Sequence, residues 1–170
     1  GDLHEKSDVD MIVLIERGEF KEERFEELGC SFDICYMPLK LWKEELYYSW
    51  GSGWEVEASS VVDSLVLYDP KGIIERAKVE FKSYPEEIRR KGIRNTYDGM
   101  TKFSQAVWHH HVNKNYDIES IFSKFYAMQA LKILFPLNQV YLKDDKDIFK
   151  QVEKLQEKPP NYLQKCLSLF

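Results

Sequence analysis

Two kinds of apolar pattern succeed each other along the chain. In the first half the runs are short. Ser7-Asp8-Val9-Asp10 leads into Met11-Ile12-Val13-Leu14-Ile15, a partly β-branched run that predicts a buried strand with two acids at its entrance. Residues 21–28 are charged, with Phe25 and Leu28 at helical spacing, and Gly29 comes next as a helix-ending glycine would, so this stretch reads as a helix. Ser31-Phe32-Asp33-Ile34-Cys35-Tyr36 alternates as a second strand, and Pro38 suits the first turn of a helix over 39–48. Gly51 and Gly53 interrupt the chain after that helix. The run 61–68 predicts a third strand. Asp69-Pro70 closes it, a cap and a preset proline opening a helix whose face carries Ile74, Ala77 and Phe81.

Past about Tyr84 the strand-like runs give way to helical periodicity. Ile93, Thr96, Met100, Phe103, Val107 and His110 recur at steps of three and four, one stripe of a long helix. Residues 118–135 are apolar on most sides, as in the central helix of a bundle, with Pro136 as its end. Ile148, Phe149, Val152 and Leu155 form a third stripe, and Pro159-Pro160 sets off a short last helix holding Leu163, Cys166 and Leu167. The expected architecture is α+β: a small mixed β-sheet flanked by helices over 1–83, followed by an α-helical bundle over 84–170, with the substrate cleft at their junction.

Composition narrows the class. The 170 residues are 44% hydrophobic and 14% aromatic, apolar material enough for one or two packed cores and too much for a disordered chain. With 24 basic and 29 acidic side chains the net charge is −5, which argues against general attraction to nucleic acid or to an anionic membrane. Cys30, Cys35 and Cys166 form no C-x-x-C pair, and their odd number points to a reducing compartment rather than a disulfide framework. No apolar stretch approaches the length of a bilayer span, and no basic region followed by an apolar core opens the chain. The expectation is a soluble, cytoplasmic protein whose start at Gly1 marks a processed fragment.

The acids carry the candidate chemistry. Residues two apart on a strand point to the same side, so Asp8 and Asp10 project together and repel unless something neutralises them. Mg²⁺ does this well, taking one or two carboxylates and filling its shell with water and phosphate oxygens. If the second strand pairs beside the first, Asp33 completes a trio, either sharing a second metal or accepting a proton from an attacking hydroxyl. That set suits in-line attack on phosphorus. The plainer reading is that surface aspartates cap or solubilise strand ends. The aspartate-nucleophile phosphatase pattern has its apolar strand before D-x-D rather than after it, and residues 11–15 lack the glycine and acid of a calcium loop. A metal-dependent glycosyltransferase places D-x-D after a long nucleotide-binding half that is missing here.

Ser7-Asp8-Val9-Asp10 running into the apolar residues 11–14, then Leu28-Gly29 followed by Phe32-Asp33-Ile34, resembles the nucleotidyltransferase fold of the DNA polymerase β superfamily. The nearest likeness is to small members of the aminoglycoside and lincosamide nucleotidyltransferase type. The resemblance implies that Asp8 and Asp10 are metal ligands, with Asp33 as the third carboxylate, a ligand or catalytic base at a one- or two-ion Mg²⁺ site. It also implies that Gly1, at the family's second glycine, Ser7 and Lys146 contact the nucleotide. The family's phosphate-cradling glycine-serine pair would precede Gly1. Residues 130–131, 137–141 and 146–147 resemble the helical C-terminal domain of such enzymes. The implied reaction transfers a nucleoside monophosphate from an NTP, such as ATP, to a hydroxyl of a small molecule or protein and releases pyrophosphate; a homodimer is compatible with this reading. The competing expectation is a non-catalytic or antitoxin-like interaction protein of the same fold.

The other candidates each have a plainer reading. Lys146 can meet a phosphate, but Lys143-Asp144-Asp145-Lys146 is also an ordinary solvated turn and helix start. His109-His110-His111 invites a metal, yet consecutive helical residues point about 100° apart and cannot all face one ion. His4 lies near the acids in a loop. Trp42, Tyr48, Trp50 and Trp54 form either a stacking wall or core, and Glu55 and Glu57 either substrate-side acids for a cationic acceptor or an exposed strand face.

Overall fold

The structure is a computed structural model, and it describes residues 8–48 and 54–170. The protein is α+β, with a small three-stranded mixed sheet and a helical C-terminal region. It divides into two compact units, residues 1–49 and 50–170.

The first unit holds β1 (Val9–Ile15), β2 (Lys21–Glu27), β3 (Cys30–Pro38) and α1 (Leu39–Tyr48). The strand order is β1-β3-β2, with β1 parallel and β2 antiparallel to β3. As an edge strand of a small sheet, β1 is less buried than its apolar run suggests: Ile12 is 47% exposed. The stretch read as a charged helix is β2. Glu27 pairs with Cys30, so only Leu28 and Gly29 connect β2 to β3, and both have positive φ, 53° and 79°. That is the two-residue hairpin whose backbone twist matches the strands it joins. Gly29 therefore supplies the left-handed residue of a hairpin rather than of a helix end, and pairing with β3 overrides the helix-forming tendency of Lys, Glu and Arg. Pro38 ends β3 and α1 begins at the next residue, as its position foretold. Trp42 and Leu46, one turn apart on α1, are buried.

The second unit begins with α2 (Trp54–Asp63), where the third strand was expected to start at 61. Trp54, Ala58 and Val61 are buried at steps of four and three, a helical stripe whose last member also opens the misleading run 61–68. In α3 (Ile73–Lys82), Ala77 and Phe81 are buried. The Asp69 carboxylate accepts from the backbone N–H groups of Ile73, Ile74 and Glu75 at 2.9, 2.8 and 3.0 Å, satisfying donors that a helix start leaves unpaired. Burial opposes its charge, but those N–H groups and Arg76 hold its carboxyl below the usual range.

The long stripe is α4 (Glu86–Val112), and α5 (Tyr116–Lys132) returns beside it. Between them Lys114 takes a positive φ of 59° and the Asn115 N–H reaches back to the His110 carbonyl at 2.9 Å, closing the helix end. Pro136 does not terminate α5. It sits inside a short helix, α6 (Leu134–Asn138), near whose start a missing N–H does no harm. After one 3-10 turn come α7 (Ile148–Lys154) and α8 (Tyr162–Leu167). Leu131, Phe135, Leu142, Ile148 and Val152 form the centre of this unit's core, with Ala127, Leu163 and Cys166 around them. The Tyr162 hydroxyl donates to the Ala130 carbonyl at 2.6 Å, pinning α8 to α5. No described helix is long and apolar enough to cross a membrane.

The hairpin is testable because its two turn residues are unequal. Leu28 is 98% exposed and holds a left-handed conformation that asparagine tolerates better. Leu28→Asn should raise the unfolding free energy by about 0.5–1 kcal/mol, and Gly29→Ala should lower it by about 1 kcal/mol. Urea unfolding of both variants checks this, and equal effects of the two substitutions would contradict the turn.

Candidate active site

The register of the sheet decides how the acids meet. Asp10 pairs with Asp33 across the parallel β1–β3 ladder, and Asp33 pairs with Arg24 across the antiparallel β2–β3 ladder. Residues paired across a ladder point to the same side, so Asp10, Asp33 and Arg24 form one row over three strands, spaced about 4.8 Å apart in backbone terms. Asp8 stands two residues before Asp10, just outside β1, and is exposed. Of the three acids that the sequence singled out, the register therefore sets Asp10 and Asp33 side by side, with Asp8 just before the strand.

Arg24 is the participant that sequence reasoning missed. Its guanidinium hydrogen-bonds and ion-pairs with the Asp33 carboxylate. It is held more firmly protonated than usual, first by that bond and charge and then by the charges of Asp8 and Asp10. The signal was available, since a two-residue turn at Leu28-Gly29 fixes Arg24 opposite Asp33 by counting outward. Reading 21–28 as a helix concealed it.

The donor set suits a hard divalent cation, which prefers oxygen ligands and commonly takes one or two protein carboxylates. Asp8 and Asp10 provide two. Asp33 faces Arg24 instead, and among the described residues no three His, Cys, Asp or Glu side chains are grouped as metal ligands. Gly1, Ser7 and His4 lie outside the described residues, as do Trp50, Gly51 and Gly53.

The helical unit places the remaining candidates. Lys146 is exposed in the 3-10 turn, its backbone N–H donating to the capping carboxylate of Asp144 at 2.7 Å, as the plain turn-and-start reading has it. Tyr141, Lys143 and Lys154 line a cleft of about 420 Å³ over Phe135 and Leu155, and Lys146 is not among its lining residues. Lys143 ion-pairs with Asp63 at 2.6 Å. The three histidines diverge: His111 meets Glu119 at 3.2 Å, His110 stacks on Phe122 at 5.4 Å, and His109 lies beside Asn113. Trp42 and Trp54 are both buried, the core reading of those aromatics.

Glu55 is on a helix rather than a strand, and it is half-buried. It opens α2, and its carboxylate accepts a hydrogen bond from the Tyr84 hydroxyl. Tyr84 stacks on Tyr141 at 4.4 Å, and Trp54 meets Tyr141 edge-on at 5.8 Å. Burial in this aromatic surround pushes the Glu55 carboxyl up to about 7, against the pull of Tyr84 and Lys132. The same burial, with the Glu55 charge added, pushes Tyr84 and Tyr141 up as well.

No family model matches this chain, and no curated protein matches it either. The geometry of the sheet face therefore bears the functional argument.

A carboxyl raised in the folded state stabilises that state fully below its unfolded value, 4.5, and withdraws the support as pH rises toward 7. The unfolding free energy should therefore fall by up to about 3 kcal/mol across that window. Glu55→Gln keeps an acceptor for Tyr84 and should flatten the dependence. Urea unfolding of both proteins at several pH values checks this, and parallel profiles would contradict the placement of Glu55.

Proposed function

We propose that the chain is a Mg²⁺-dependent nucleotidyltransferase of the DNA polymerase β superfamily, moving a nucleoside monophosphate from an NTP onto a hydroxyl of a small molecule or protein. The single observation that carries this reading is the registered pairing of Asp10 with Asp33 on one face of a mixed sheet, with Asp8 just before β1. Like charges directly across a ladder destabilise it, and Arg24 pairs with Asp33 alone, so a cation held by Asp10 and Asp8 would complete the balance.

In this scheme Asp8 and Asp10 hold the metal ion. The bound ion would position phosphate oxygens and offset charge on the departing pyrophosphate. Asp33 accepts the proton of the acceptor hydroxyl as its oxygen bonds to the α-phosphorus and the bond to the β-phosphate oxygen breaks. Arg24 balances the acids in the absence of ligand. Its planar donors also suit a phosphate, which would release Asp33 for its part in the reaction. The Arg24–Asp33 pair equally favours a second reading, an interaction protein in which that pair is permanent.

Calorimetric titration of the chain with each NTP separates the two. Heat that depends on Mg²⁺ is expected for at least one NTP, and Asp10→Asn should weaken that binding by at least about tenfold while leaving the circular dichroism unchanged. Binding that persists undiminished in Asp10→Asn, or no metal-dependent heat in the native chain, would overturn the assignment. Arg24→Ala leaves the acids facing one another uncompensated, so it should lower the thermal midpoint in chelator and recover toward the native value when Mg²⁺ is added. A midpoint indifferent to Mg²⁺ would count against metal binding at these acids.

A further inference from the structure

The outer half of the α4–α5 hairpin has an apolar layer on one side that the described helices leave uncovered. The buried residues of α5, namely Ala127, Ala130 and Leu131, all lie in its second half, within the core shared with Phe135, Ile148, Val152 and Leu163. In the first half the packing is with α4. Phe103 meets Phe125 at 5.5 Å and Phe122 at 6.2 Å, and His110 stacks on Phe122. Two helices cannot enclose such a cluster between them, and Ile118, Ile121 and Phe125 remain 43%, 52% and 50% exposed.

The polar residues on this half of α5 say what covers it. Asp117, Ile121 and Lys124 recur at steps of four and three, which is the spacing of a helix-to-helix seam, with Ile118 and Phe125 flanking it. Asp117 and Lys124 stand seven residues apart on either side of Ile121. Across a two-fold axis passing beside Ile121, α5 runs antiparallel to its copy. Asp117 then lies opposite the partner's Lys124, and the reciprocal pair forms at the other end. A segment whose charges complement themselves under a two-fold, with an apolar residue at the centre, fits a second copy of itself. We infer that α5, supported by α4, forms the interface of a homodimer, in which two hairpins close into a four-helix bundle.

Sedimentation equilibrium of the full chain over about a hundredfold range of concentration should show a monomer–dimer equilibrium following mass action. Ile121→Asp, which buries a carboxylate at the axis, should weaken the dimer by at least about tenfold with no loss of helical circular dichroism. Asp117→Lys and Lys124→Asp should each weaken it by setting like charges opposite one another, and the two together should restore it. A monomer at every concentration, leaving this face to a different partner, would overturn the inference. So would a dimer that the single charge reversals leave unchanged or that the double reversal fails to restore.

Discussion

Two aspartates held directly opposite each other on parallel strands repel, and the sheet tolerates Asp10 beside Asp33 only because something positive is near. In the protein itself that charge is Arg24, one strand further along the same row. The constraint runs through the first unit. The Leu28-Gly29 turn sets the register that brings Arg24 to Asp33, the parallel β1–β3 ladder brings Asp33 to Asp10, and Asp8, just outside β1, adds a charge that acts on Arg24. Arg24 thus offsets part of the negative charge that the register collects at Asp10 and Asp33.

Much of this was legible in the chain because a strict period of two places acids unambiguously. Asp10 before an apolar run, and Asp33 within an alternating one, could be assigned to strands from residue type alone, and both strands formed, with Asp8 just outside the first. What hid Arg24 was a conflict of scales: Lys21 to Glu27 is rich in helix formers, and their local preference pointed the wrong way. Pairing with β3 and the positive φ of both turn residues decided the matter, and these are tertiary facts that propensity does not contain. The same conflict explains the misread third strand. Val61 and Val62 are β-branched and begin an apolar run, but Trp54, Ala58 and Val61 already form a helical stripe buried in the second unit. Pro136 misled in the opposite sense, since a proline near a helix start continues a fold that a proline in its middle would break.

The helical unit has its own logic, expressed in where it buries polar groups. Glu55 is held by the Tyr84 hydroxyl inside an aromatic surround made by Trp54, Tyr84 and Tyr141, and the Tyr141 hydroxyl in turn donates to the Phe81 carbonyl at 2.9 Å. These bonds tie α2, the end of α3 and the segment after α6 into one body. No periodicity could have announced a half-buried glutamate there, because its hydrogen-bond partner Tyr84 lies 29 residues away in sequence. The α4–α5 hairpin is the reverse case. Its stripe was plain in the sequence, but that Ile118, Ile121 and Phe125 would stay exposed depends on where the surrounding helices stop.

The most direct measurement of the central claim is paramagnetic broadening of the protein's amide resonances by Mn²⁺ added with ATP. If Asp8, Asp10 and Asp33 gather a divalent ion, the resonances of residues 8–12, 32–34 and Arg24 should broaden first and together, and those of the helical core around Leu131 and Val152 should stay sharp. Broadening that bypasses these strands, or that is equally strong in Asp10→Asn, would contradict it.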